Sequence, residues 1–190
     1  MRAAVLLVGA VLLLAAGGAA GYVVSSSTEE TETLTTTSTA TDTETVTETP
    51  GEGLPDPVQE TRAALLEAAE AGDYEALRPF IPEAGFEYTF GGPVEGGPIA
   101  YWRELERTTT ERPLETLAAI LKMPYTLSRG YYVWPWAYTV VSVTDLSEHE
   151  RRLLAPLGDA SALFVPGTGY LGWRTGIAPD GTWAFFIAGD

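Results

Sequence analysis

Cysteine and asparagine do not occur in this 190-residue chain, and histidine, lysine and glutamine occur once each, as His149, Lys122 and Gln59. Without cysteine there is no disulfide framework, no thiol nucleophile and no thiol to carry a bacterial lipid anchor. Without asparagine there is no acceptor for N-linked glycans. A single histidine assembles neither a zinc site nor a Ser-His-Asp triad, and His149 lies between Glu148 and Glu150, where a solvated position is expected. No metal and no cofactor are therefore expected. Basic residues are also scarce: 11 Lys and Arg stand against 26 Asp and Glu, a net charge of −15. Phosphate binding needs clustered cations, so neither nucleic acid nor an anionic membrane surface is an expected partner. Scarce Asn, Gln, Cys and Met are shared with thermophile proteins, but those enrich lysine, and the lone Lys122 points instead to codon usage.

What the chain has in abundance begins at its N-terminus. Residues 3–24 form an apolar run of 22 with no charge, densest at Leu6, Leu7, Val8, Val11, Leu12, Leu13 and Leu14. About 20 apolar helical residues cross a bilayer core. Arg2 precedes the run, and the 25 residues after it hold six acids and no base. That asymmetry predicts a cytoplasmic N-terminus and a single-span membrane protein with its C-terminal domain outside. The competing reading is a signal peptide cut near Gly21, after the small residues Gly18 and Ala20, with secretion as the result. Tyr22, Val23 and Val24 lengthen the run past the small residues and favour the uncleaved anchor.

Residues 25–50 contain 16 Ser and Thr, six acids, and otherwise only Leu34, Ala40, Val46 and Pro50. Such a segment buries too little apolar surface to offset its chain entropy, and like charges extend it. A disordered stalk is expected, as a plain spacer rather than an O-glycosylated one. The chain thus divides into a leader (1–24), a stalk (25–55) and one globular domain (56–190).

Within that domain the pattern predicts an α+β fold. Its N-terminal helices pack on a curved, mostly antiparallel sheet ending in a C-terminal hairpin. Asp56 as N-cap and Pro57 behind it open a first helix with a stripe at Val58, Thr61, Leu65, Ala68 and Ala69, ended by Gly72. Asp73 caps a short second helix. Residues 86–90 alternate as a strand, residues 91–97 form a glycine loop, and helices begin at Pro98 and Pro113. Residues 131–143 read as one long strand, at an edge or bulged at Pro135, which cannot donate to a ladder. Ser147 and Glu150 form a capping box. Around the turn 178–181, pairing Ile177 with Trp183 would place Thr175 opposite Phe185 and Arg174 opposite Phe186.

The motifs are few. Residues 167–172 match G-x-G-x-x-G, but a strand rather than a helix is expected to follow, so no phosphate cradle is inferred. Five Trp and nine Tyr are many for this size. Trp134-Pro135-Trp136 suits a stacking platform or, more commonly, a core. Arg174 stands out because glycines two residues to either side leave room over its face. A charge on a central strand must be paired or reach solvent. It either forms an ion pair with Glu87, Asp145, Glu104 or Asp190, or recognises an anion on a pocket floor. Trp102, Tyr132 and Trp136 are the aromatic candidates to line that pocket.

The junction Ala68-Ala69-Glu70-Ala71-Gly72-Asp73-Tyr74-Glu75-Ala76-Leu77 and the closing hairpin, in an order of helices followed by sheet, resemble the nuclear-transport-factor-like, ketosteroid-isomerase-like α+β cone. The resemblance covers residues 56–190 and is one of topology. It implies a pocket between the helices and a concave sheet, and many such proteins are non-catalytic. Helices at 113–122 and 147–157 depart from the expected meander, and no catalytic residue carries over. The function expected is a non-enzymatic binding or accessory module for a small apolar or anionic ligand, or for an envelope protein. The alternatives are an isomerase- or hydrolase-type enzyme using Glu87 or Asp145 as a desolvated general base, and an architectural envelope protein with an exposed aromatic patch.

Overall fold

The computed structural model describes residues 52–189, and the leader and most of the stalk lie outside the described residues. No helix among those described is long and apolar enough to cross a membrane. The fold is α+β, with helices packed on a mostly antiparallel sheet that closes with a C-terminal hairpin. The folded body begins before Asp56. Leu54 is buried in the core, and the Tyr125 hydroxyl donates to the Glu52 carbonyl at 2.8 Å.

Helix α1 (Asp56–Glu70) buries the predicted stripe of Val58, Thr61, Leu65, Ala68 and Ala69. Its N-cap is Pro55 rather than Asp56, whose carboxylate sits in the first turn beside Pro57. At the other end the Asp73 amide donates to the Ala68 carbonyl, 3.0 Å, with Gly72 between them at φ 69°. Asp73 then caps α2 (Tyr74–Leu77) through the amides of Glu75 and Ala76, at 2.9 and 3.2 Å. Helices α3 (Gly97–Thr108) and α4 (Pro113–Leu121) each carry a proline in the first turn, where no amide hydrogen is needed.

The main sheet has the order β1-β2-β5-β6, all antiparallel. Its strands are β1 (Thr126–Ser128), β2 (Tyr131–Trp134), β5 (Arg174–Ile177) and β6 (Trp183–Ile187). A separate hairpin pairs β3 (Phe164–Val165) with β4 (Gly169–Tyr170), with Gly167 in its turn. The G-x-G-x-x-G stretch therefore runs through that hairpin, and no helix follows it. Trp102, Trp134 and Trp183, with Phe186, Ile177 and the apolar stripes of α1, α3 and α4, fill one side of the main sheet. Four residues in that layer (Trp102, Trp134, Trp183, Phe186) are at most 1% exposed, so the space between helices and sheet is solid. A second, smaller core joins Trp136, Met123, Leu146, α5 (Glu148–Leu154) and the β3–β4 hairpin. The capping box that opens α5 forms as expected, Ser147 N–H to Glu150 at 2.7 Å and Glu150 N–H to the Ser147 hydroxyl at 3.2 Å.

Three further expectations change. The long strand over 131–143 stops at Trp134. Pro135 has no amide hydrogen, the Trp136 amide turns to the Pro124 carbonyl (3.0 Å), and a 3-10 turn over Trp136–Thr139 follows. The strand over 86–90 shrinks to one parallel bridge, Glu87 with Phe185. The Tyr88 hydroxyl accepts from the Val94 amide at 2.7 Å and folds the rest of that stretch into its own loop. The hairpin register holds at Ile177 with Trp183 but shifts by one beyond it, because a bulge lies between the Gly176 and Ile177 pairs. Thr175 consequently faces Phe186, and Arg174 faces Ile187. The residue left out is Ala184, whose carbonyl accepts from the Glu87 amide at 3.1 Å. The parallel bridge and the bulge are thus one feature.

Candidate functional site

Side chains alternate along a strand, so the face opposite the helices carries Tyr131 and Val133 of β2, Arg174 and Gly176 of β5, and Phe185 and Ile187 of β6. This face holds a cleft of about 330 Å³. Arg174 lies on its wall, half-buried, with its guanidinium carbon 5.7 Å from the Phe90 ring centre and 5.4 Å from that of Tyr138. Its Nη1 donates to the Gly189 carbonyl at 2.7 Å. That bond fixes the side chain, and the flanking rings attract the cation through their π faces. The cleft mouth is framed by Phe90 and Tyr131, 54% and 37% exposed, and by Glu87 and Arg129.

The glycines beside Arg174 serve a different purpose from the one expected. A Cβ on Gly176 would overlap the Phe185 ring, and one on Gly172 would overlap the Tyr170 phenol. The missing side chains thus make slots for rings of this same domain. Arg174 stands between the slots. Its neighbour Tyr170 donates to the Trp173 carbonyl at 2.9 Å, and burial pushes its phenol well above the ordinary value, with the Arg174 cation acting the other way. Among the described residues Arg174 joins no ion pair: Glu104 is taken by Arg107, and Glu87 and Asp145 pair with no cation. Asp190 lies outside the described residues.

The other sequence candidates lie apart from this cleft. Trp102 is enclosed in the main core between Trp183 and Phe186, its ring centre 5.8 and 5.3 Å from theirs. Trp136 is enclosed in the second core, 1% exposed. Tyr132 points to the helix side of β2 and packs on Tyr125, ring centres 5.6 Å apart. Of the two carboxylates considered as bases, Glu87 reaches the cleft and Asp145 ends a 3-10 turn (Val143–Asp145) outside it. Both are exposed, whereas a desolvated base must be buried. Phe90, Tyr138 and Arg129 were not singled out from sequence. The one available signal was Arg129-Gly130 preceding an aromatic run, which is a two-residue turn.

A second, open groove of about 630 Å³ runs between the start of α4 and Trp173. Two of its polar side chains are engaged: Trp173 Nε1 donates to Glu111 at 2.8 Å, and Arg112 donates to the Glu111 carbonyl, also at 2.8 Å. Among the described residues no cluster of three or more His, Asp or Glu is spaced to hold a metal ion. Comparison with protein families, with curated proteins and with solved structures finds no match to this chain.

Proposed function

We propose that this chain is an exported, membrane-held binding module that takes a small anionic ligand with an apolar body in the cleft beside Arg174. The observation that carries the reading is a half-buried guanidinium held between two aromatic rings at the wall of a cavity. An Arg in such a setting offers planar, bidentate geometry to an oxyanion, while the rings take the apolar part. The apolar run 3–24 and the acidic, Ser/Thr-rich spacer behind it support an external, tethered position.

The binding half is tested with 2-naphthoate and the full chain in lipid nanodiscs, with empty discs as blank. The parent should bind, and Arg174→Met should lose binding with its melting temperature only slightly lowered. A variant that melts much lower, from a parent that never bound, would make Arg174 a structural cation. Fractionation tests the tether. The full-length chain should stay with the membrane, its C-terminal domain open to external protease. A product trimmed near Gly21 in the medium would replace the tether by secretion, and an intact chain in the cytosol would remove the export reading altogether.

A further inference from the structure

A second cation at the cleft has a more unusual setting than Arg174. Arg129 and Gly130 connect Ser128 to Tyr131 as a two-residue hairpin loop, with φ 52° and 84°. Positive φ at both positions is the signature of the type I′ turn, in which Asn, Asp or Gly normally takes the first place. Arg129 is the one non-glycine at positive φ among the described residues. A long β-methylene side chain gains nothing from that backbone, and an outlier of this kind is a reason to look for a role.

Its side chain is equally unusual. Arg78, Arg103, Arg107, Arg152 and Lys122 pair with carboxylates. Arg62, Arg112 and Arg151 donate to backbone carbonyls, as Arg174 does with one nitrogen. Arg129 alone among the described cations does neither, and it lines the same cleft as Arg174. In a chain of net charge −15, the exposed Arg129 and the half-buried Arg174 line one cleft, and among the described residues Glu87 is the carboxylate that lines it with them.

Resting on the reading of the Arg174 cleft as a binding site, we propose that Arg129 and Arg174 together clamp the carboxylate of a flat aromatic acid. Its ring lies against Phe90, Tyr131 and Tyr138. Two planar forks match a carboxylate from two sides. The cavity of about 330 Å³ is at the small end of ligand sites, which suits one or two fused rings. Glu87 and the chain's overall charge disfavour a second negative group, so the ligand is a monoanion.

The test compares 2-naphthoate, 2-naphthalenemethanol and naphthalene-2,6-dicarboxylate against the parent, Arg129→Gly and Arg174→Met, in the same nanodiscs. Glycine suits φ 52°, so Arg129→Gly should melt at or above the parent temperature. It should nevertheless bind 2-naphthoate at least tenfold more weakly. The neutral alcohol should bind more weakly than the acid to the parent and equally to parent and Arg129→Gly. Unchanged naphthoate binding by Arg129→Gly, with loss by Arg174→Met, would overturn the clamp and leave the Arg174 site standing. Unchanged binding by both variants would overturn the site as well. Tighter binding of the dicarboxylate would overturn the monoanion assignment.

Discussion

The two faces of the main sheet are built from alternate residues of the same strands, and they differ in cover rather than in composition. Aromatic residues supply both: Trp134, Trp183 and Phe186 toward the helices, Tyr131 and Phe185 away from them. Helices α1, α3 and α4 close the first face so completely that its tryptophans are at most 1% exposed. Over the second face lie the 3-10 turn with Tyr138, the Phe90 loop and the Gly189 backbone, and there a cleft remains. An aromatic strand is thus no guide to a binding face by itself. What lies on top of it decides.

That contrast can be broken or sharpened by substitution. The largest effect belongs to the closed face. Trp102→Ala should cost about 3–5 kcal/mol, read as a lower denaturation midpoint, because a fully enclosed indole leaves a cavity between α3 and the sheet. A loss under about 1 kcal/mol would mean that the helix layer is not closed. Next comes the open face, where Gly176→Ala should cost roughly 1–3 kcal/mol, because its Cβ displaces the Phe185 ring that walls the cleft. The same variant should weaken 2-naphthoate binding, which Trp102→Ala, in whatever fraction stays folded, should not.

A smaller effect concerns Tyr170, whose ring fills the slot over Gly172. Tyr170→Phe removes the hydrogen bond to Trp173 and should cost about 1 kcal/mol near neutral pH. Burial raises the folded-state pKa above the unfolded value, so the folded state holds the phenol proton more tightly. That contribution is complete below about pH 10, the ordinary phenol value, and is lost as pH rises beyond it. The parent should therefore lose stability on the alkaline side more steeply than Tyr170→Phe, and parallel profiles would contradict it. Of similar size is Arg174→Met, which gives up one hydrogen bond and two ring contacts but keeps an apolar stem, and is expected to cost about 1 kcal/mol while removing the ligand.

Much of the helical half was legible because its signals are local. The Asp73 cap, the Ser147–Glu150 box, the prolines at 98 and 113 and the stripe from Val58 to Ala69 each depend on residues within a turn or two. The sheet was legible only where a turn announced it. The Ala178-Pro179-Asp180-Gly181 turn placed Ile177 opposite Trp183, and beyond that pair the register shifted because Ala184 serves a distant residue, Glu87. Nothing near Ala184 in the chain could signal that. The first hairpin was missed because Arg129 is a poor residue for the turn it occupies.

Arg174 was recognisable in isolation as a charge on a strand of small and apolar residues. Its rings, Phe90 and Tyr138, come from segments separated from it by loops, and so could not be paired with it by spacing. Trp102, Tyr132 and Trp136 fell elsewhere for the same reason. Alternation says which residues share a face of one strand, not which face the helices cover.

Local chemistry alone therefore determined the acidic, cysteine-free character of the chain, most of its helix starts and its closing turn, because caps, prolines and net charge act over a few residues or on the whole. Only the tertiary structure decided the strand register, which aromatic rings are core, and that Arg129 and Arg174 meet at one cleft. Those outcomes depend on contacts between segments far apart in sequence, set by which surfaces the packed helices leave uncovered.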